Sequence, residues 1–307
     1  MTVARIAFAF PGQGSQHAGM LDAVPENDAF ERLLDAAEAL TGLELRTIVA
    51  MGAAEELSDT RIAQPLLYLT DWAWAVTLME TGIVPSVVAG HSLGEFAALA
   101  IAGAFSVEAG LELVVERSKL MAATAGATPG GMTAVLGLDS ETVSDTIGSI
   151  EGAWVANDNS PGQVVISGTQ SGIDAASEAL ATAGARRLVP LKVAGPFHSP
   201  LMEPARSAFE EILDQTEFRS PAIPIIQNTD PAPSQDGVLI RARLTEQMTT
   251  PVRWTETMQA LAQEGPVTML EAGPGSVLCG LARGYDDITA LPVENSELER
   301  IAEEVSL

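Results

Sequence analysis

Gly90-His91-Ser92-Leu93-Gly94 fits the pattern Gly-x-Ser-x-Gly, in which a serine stands on a sharp turn between a strand and a helix. The flanks supply that context: residues 84–89 (VPSVVA) read as a short buried strand, and residues 96–102 as an apolar helical run. Two glycines suit such a turn, because side chains beside the serine would leave it no room to close. Ser92 would then stand at the carboxyl edge of a sheet and at a helix N-terminus, whose amides and dipole favour developing negative charge. A serine N-cap in a glycine-rich turn gives the same short pattern. The strand before and the helix after favour a nucleophile.

A serine hydroxyl is a weak nucleophile and needs a base within hydrogen-bond reach. The chain holds three histidines, His17, His91 and His198. Neighbouring side chains at a strand end point to opposite faces, so His91 is poorly placed to take the Oγ proton of Ser92. His17 lies in a polar glycine-rich loop, where a solvated ring is the simpler reading. His198, in Gly195-Pro196-Phe197-His198-Ser199-Pro200, is bracketed by prolines that would fix its position, and it is the favoured base.

Arg117 is unusual, because its neighbours three and four positions away are Leu113, Val114, Leu120 and Met121. No local carboxylate can pair with it. Either it snorkels to water or meets a distant acid, or a substrate carboxylate supplies a bidentate partner. Residues 10–16 (FPGQGSQ) lack a third glycine, and no Gly-Lys-Ser/Thr occurs, so dinucleotide fingerprints and phosphate-binding P-loops are absent. A turn there would instead present backbone amides beside Ser92, if the two strands are neighbours. Cys279 reads as a small packed hydrophobe.

These groups need a scaffold, and the pattern is α/β. A buried strand over residues 4–10 runs into Pro11-Gly12, and helical patterns cover residues 28–40 and 65–80 before the strand that leads to Ser92. The helix over 107–125 is broken by the glycine-rich residues 126–131. Strand 132–138, helix 140–150, strands 154–157 and 163–167, helix 171–183 and strand 187–193 then follow, in the order of a ferredoxin-like split βαβ unit. Helices over 201–216 and 255–264 and a strand over 267–271 resume the first rhythm. The small unit therefore reads as an insertion in a discontinuous larger one.

With 307 residues, 47% hydrophobic and 19% charged, the chain has the composition of a globular protein. A net charge of −25 repels phosphate backbones and anionic headgroups, which argues against nucleic-acid and membrane partners. One cysteine and three histidines are too few for a disulfide or a Cys/His zinc cluster, so no metal is expected. The run over residues 6–10 is too short for a signal-peptide core, and that over 96–105 is about half of the ~20 residues a membrane span needs. The expectation is a cytoplasmic monomer.

Taken together, the stretches FPGQGSQ (10–16), GHSLGE (90–95), the Arg117 helix, NSPGQVVISG (159–168), FHSPLM (197–202) and EAGPG (271–275) make the sequence similar to the malonyl-CoA:acyl-carrier-protein transacylases of fatty acid synthesis, and to the related acyltransferase domains of polyketide synthases. The resemblance implies an α/β-hydrolase-like large subdomain with a parallel sheet over 1–125 and 194–307, and an inserted ferredoxin-like small subdomain over 126–193. It implies Ser92 as the acylated nucleophile, His198 as base, and Arg117 as partner of the malonyl carboxylate. Backbone amides of Gln13 and Leu93 would form the oxyanion hole, and Gln247 would offer a backbone carbonyl that orients the histidine in place of an acid. His91 and Phe197 would lie at the substrate, with Phe197 pointing to malonyl rather than methylmalonyl.

The reaction so implied is a ping-pong transfer from malonyl-CoA to acyl carrier protein. No cofactor is expected, since the phosphopantetheine is carried by the partner. A serine esterase or thioesterase shares the elbow and base but delivers water, and a carrier-binding scaffold would form no adduct. Carrier proteins are usually acidic, so docking on this chain calls for a local basic patch, for which Arg186, Arg187 and Lys192 are the candidates.

Overall fold

Alternate residues of the first strand face two different cores. Phe8 and Phe10 are fully buried among the helices Thr60–Glu80, Gly94–Ala102 and Val107–Ala127, whereas Ala7 and Ala9 face Trp254, Met258 and Leu261. A strand covered on both faces belongs in a parallel sheet. Truncating either phenylalanine to alanine removes enough buried surface to destabilise by about 3–5 kcal/mol. The computed structural model describes residues 5–52, 54–294 and 296–305; Ala4, which the sequence places in the first strand, lies outside them.

In chain order the strands are β1 (Arg5–Phe10), β2 (Val87–Gly90), β3 (Gly130–Leu136), β4 (Ala153–Ser160), β5 (Gln163–Thr169), β6 (Arg187–Pro190), β7 (Ile225–Ile226), β8 (Val252–Arg253), β9 (Val267–Glu271) and β10 (Ile288–Pro292). Five of them form a sheet of order β10-β9-β1-β2-β7, parallel throughout. The chain is thus an α/β protein with a parallel sheet. Phe10 pairs with Gly90, so the loops after β1 and β2 leave the sheet side by side.

The second sheet has the order β6-β3-β5-β4-β8 and is antiparallel except where β4 meets β8. The helices Ser140–Ile147 and Gln170–Thr182 cover one face, burying Val143, Ile147, Ile173 and Leu180 against Val135, Val164 and Ile166. Met132 and Val165 point the other way, toward the larger core. β8 comes from residues 252–253, well after the antiparallel run; it pairs with β4, while Val252 packs in the core with Ala7 and Ala9 and the Arg253 N–H bonds the Asn228 oxygen after β7.

Several boundaries differ from the sequence reading. β2 begins at Val87 rather than at 84, because Pro85 cannot donate to a ladder and Val84 is exposed. The strand expected over 187–193 stops at Pro190: the Leu191 N–H still reaches the Met132 oxygen, but the Val193 N–H turns back to the Leu191 oxygen. The helix expected to start at Pro65 begins at Thr60, with Asp59 accepting from the Arg61 amide as its N-cap, so Pro65 lies inside it. β7 and β8 are two residues each, too short to carry a periodic signal. No helix among the described residues is long and apolar enough to cross a membrane.

Candidate active site

The turn after β2 closes at van der Waals limits. A Cβ at Gly90 would lie 2.0 Å from the Gly94 carbonyl carbon, one at Gly94 would lie 2.1 Å from the Phe10 oxygen, and one at Gly12 would lie 2.4 Å from the His91 oxygen. Only glycine fits these three positions. Ser92 sits between them at φ 50°, in the left-handed region, and His198 takes a similar value of 55°. Such conformations are worth about 1–3 kcal/mol of strain each and persist where the surroundings over-determine them.

The surroundings do so here. The Ser92 N–H donates to Asn228 Oδ1 at 2.7 Å, and Asn228 Nδ2 donates to the Gly90 oxygen at 2.6 Å. Ser92 Oγ and His198 Nε2 are 2.7 Å apart although the residues are separated by 106 positions. On the far side of the ring, Nδ1 lies 2.9 Å from the Gln247 oxygen and 3.2 Å from the Thr250 oxygen. Both are acceptors, so Nδ1 carries the proton and Nε2 is left to receive one from the serine. Burial, together with the nearby Arg117 charge, pushes His198 down to about 3, which keeps the resting ring neutral.

Arg117 is 1% exposed, which removes the snorkelling alternative. Nη1 donates to Gln64 Oε1 at 2.6 Å, and Nη2 donates to Gln247 Oε1 at 3.0 Å and to Ser92 Oγ at 3.3 Å. The guanidinium also lies 5.4 Å above the Phe96 ring. No carboxylate reaches ion-pair distance among the described residues, and Nε is buried without a partner. Burial lowers the group to about 10, an effect that the charge of Glu95 opposes. Glu95 itself is taken up by Gln227 Nε2 and the Asn228 N–H, each at 2.9 Å. A cation buried with only neutral hydrogen-bond partners favours the arrival of an anion.

Gln13 and Leu93 line the same cleft, and neither backbone N–H has an acceptor among the described residues. The Gln13 side chain is held by Ser58 and Thr60, and Thr60 in turn accepts from Gln64 at 2.6 Å. Ser92, His198, Arg117, Gln13, Leu93, His91 and Phe197 all line one cleft of about 170 Å³. Met132, Val165, Leu191 and Val193 form its apolar wall from the side of the antiparallel sheet. The arrangement can take a proton from a serine, hold an oxyanion on two amides and receive a carboxylate.

His91 turns away from the Ser92 hydroxyl, bonding Asn159 Oδ1 at 2.8 Å and packing 5.4 Å from the Trp254 ring. His17 is exposed outside the cleft and meets Glu294 at 3.0 Å. Cys279 is only partly buried, not a core residue: its N–H bonds Glu271 as the first turn of the helix Val277–Leu281 forms. The docking candidates Arg186, Arg187 and Lys192 are exposed, and no ion pair is recorded for them among the described residues. Sequence reasoning missed Gln64, Asn228 and the Thr250 carbonyl. Gln64 had one legible signal, an amide in an otherwise apolar helical run; Asn228, in Ile-Ile-Gln-Asn-Thr-Asp, had none. Among the described residues no cluster of three or more His, Cys, Asp or Glu could hold a metal.

The family model of the acyl transferase domain matches residues 7–302. The malonyl CoA-acyl carrier protein transacylase of Bacillus subtilis is 41% identical over 286 residues, covering 92% of this chain and 90% of that protein. The crystal structure of the acyl-carrier-protein S-malonyltransferase from Bartonella henselae superposes with a TM-score of 0.92 at 35% identity, over 99% of this chain and 100% of the other. A malonyl-transacylase solved in complex with its type II polyketide acyl-carrier protein gives 0.90 at 36% identity, over 98% and 99%.

Proposed function

The chain belongs to the acyl transferase family, within its malonyl-CoA:acyl-carrier-protein transacylases, and from that premise we propose a ping-pong transfer of malonyl through a Ser92 ester. Ser92 Oγ attacks the thioester carbonyl of malonyl-CoA while its proton passes to His198 Nε2. The oxyanion is held by the amides of Gln13 and Leu93, donors typically worth ~3–4 kcal/mol each. The C–S bond then breaks, and the leaving thiolate takes the proton from His198. The phosphopantetheine thiol of acyl carrier protein enters the same cleft, gives its proton to His198 and attacks the ester. Ser92 departs as the hydroxyl, recovering that proton.

The malonyl carboxylate binds Arg117. Burial is the main reason the His198 ring is neutral, and the Arg117 charge adds to it; the carboxylate would offset that second contribution, so bound substrate strengthens the base that it needs. Gln247 and Thr250 keep the ring in the required tautomer through their carbonyls, and Phe197 limits the space beside the acyl group. The two sheets support a division into an α/β-hydrolase-like unit over 1–125 and 194–307 with a ferredoxin-like insertion over 126–193, since the four strands within the insertion take the order β6-β3-β5-β4.

The observation that carries this reading is the buried, carboxylate-free guanidinium 3.3 Å from a serine already hydrogen-bonded to histidine. Mass spectrometry of the protein mixed with malonyl-CoA should show a covalent malonyl adduct that Ser92→Ala abolishes. An adduct that survives in Ser92→Ala would overturn the assignment. Release of free malonate at the rate of carrier acylation would favour a thioesterase instead.

A further inference from the structure

Ser92 and Leu93 bring two consecutive amides to the elbow, yet only one of them is free. Asn228 accounts for the difference. It follows β7, whose Ile226 pairs with Ala89 of β2, so the chain continuing from β7 runs alongside the elbow. Its carboxamide spans the turn, accepting the Ser92 N–H at 2.7 Å and donating to the Gly90 oxygen at 2.6 Å. The main chain of Asn228 is pinned at both ends: its N–H donates to Glu95 Oε2 at 2.9 Å, and its oxygen accepts from the Arg253 N–H at 3.2 Å. Gln227 Nε2 secures the other oxygen of Glu95 at 2.9 Å, and also donates to the Ile240 oxygen at 3.1 Å. Asn228, Gln227 and Glu95 are essentially without solvent exposure, so no water competes for these bonds.

We infer that Asn228 is a positioning residue for acyl transfer: it fastens the strained Ser92 backbone and occupies the Ser92 amide, which leaves the Leu93 amide to face the substrate oxygen. The inference rests on the reading of Ser92 as nucleophile. A free Ser92 N–H beside the reacting oxygen would let the turn relax out of its left-handed conformation, moving both Oγ and the Leu93 amide from where His198 and Gln13 expect them. Misplacement of that kind reduces the rate of the chemical step more than it reduces substrate binding.

The test is single-turnover formation of the malonyl adduct at saturating malonyl-CoA, alongside KM, in Asn228→Ala and Asn228→Asp. Far-UV circular dichroism and urea unfolding identify which variants are folded. Asn228→Ala loses both side-chain bonds and is expected to acylate about a hundredfold more slowly, with KM within about threefold of the wild type. Asn228→Asp keeps an acceptor for the Ser92 amide but loses the donor to Gly90, and should fall between the two. If the alanine variant does not fold, the aspartate variant decides alone. A folded variant that acylates at the wild-type rate, or a loss carried wholly by KM, overturns the inference. Absence of a Ser92 adduct in the wild type would instead overturn the underlying reading of the serine.

Discussion

The two sheets meet at one cleft and contribute opposite things to it. The parallel sheet supplies the ends of β1, β2 and β7, where Gln13, Ser92 and Asn228 sit on turns so tight that three glycines cannot be replaced. The antiparallel sheet supplies Met132 and Val165, with Leu191 and Val193 just after β6; these four side chains shape the cleft, and none of them stands on left-handed backbone. A sheet covered on both faces can keep a left-handed serine in place, because the Ser92 N–H, the Ser92 oxygen and the Gly90 oxygen are each held by a buried side-chain amide. A sheet with helices on one face leaves its other face for a wall. Chemistry should therefore fail through the first region, and recognition through the second.

His198→Ala is the sharpest way to test the chemical side. Loss of the general base should lower the acylation rate about 10³-fold with little change in malonyl-CoA binding, as measured by single-turnover mass spectrometry. An equal loss from Met132→Ala at the opposite wall would break the comparison. Arg117→Ala follows, since its role lies between chemistry and recognition. Competition between malonyl- and acetyl-CoA should show malonyl preference falling by about a hundredfold, with acetyl transfer rising in relative terms. Unchanged selectivity would sink the carboxylate partnership.

The buried imidazole also predicts a pH effect. The folded-state value of His198 lies near 3, below the ordinary 6.5, so the unfolded chain binds the proton first. Stability is fully present above about 6.5 and is lost on acidification toward 3, with a slope of up to about 1.4 kcal/mol per pH unit for one proton. His91, also lowered by burial, adds in the same sense. Urea unfolding between about pH 6 and pH 4 should show a shallower loss for His198→Asn than for the wild type. A parallel loss in the two proteins would contradict the buried neutral ring.

The smallest effect is expected on the antiparallel side. Arg186→Glu with Arg187→Glu should raise the KM for acyl carrier protein several-fold, more at low salt, while adduct formation from malonyl-CoA stays unchanged. Unaltered carrier kinetics would remove these residues from the docking surface.

What the amino-acid order determined by itself was whatever sterics and spacing settle within a few residues. Gly90 and Gly94 flank Ser92 because the turn tolerates nothing larger, Arg117 lacks an acid three or four positions away, and the apolar run of β1 announces burial on both faces. His198 was marked by the prolines around it, and Phe197 only by the family resemblance. The folded chain alone decided the rest: that His198 meets Ser92 across 106 positions, that Gln247 reaches Arg117 across 130, and that Asn228 closes the elbow across 136. Two-residue strands such as β7 and β8, and the helix turn that precedes Pro65, depend equally on partners distant in sequence. Turn geometry is a property of neighbours along the chain and leaves its mark in residue type. A hydrogen bond between distant residues is a property of how the whole core closes, and an asparagine or a carbonyl looks the same before and after.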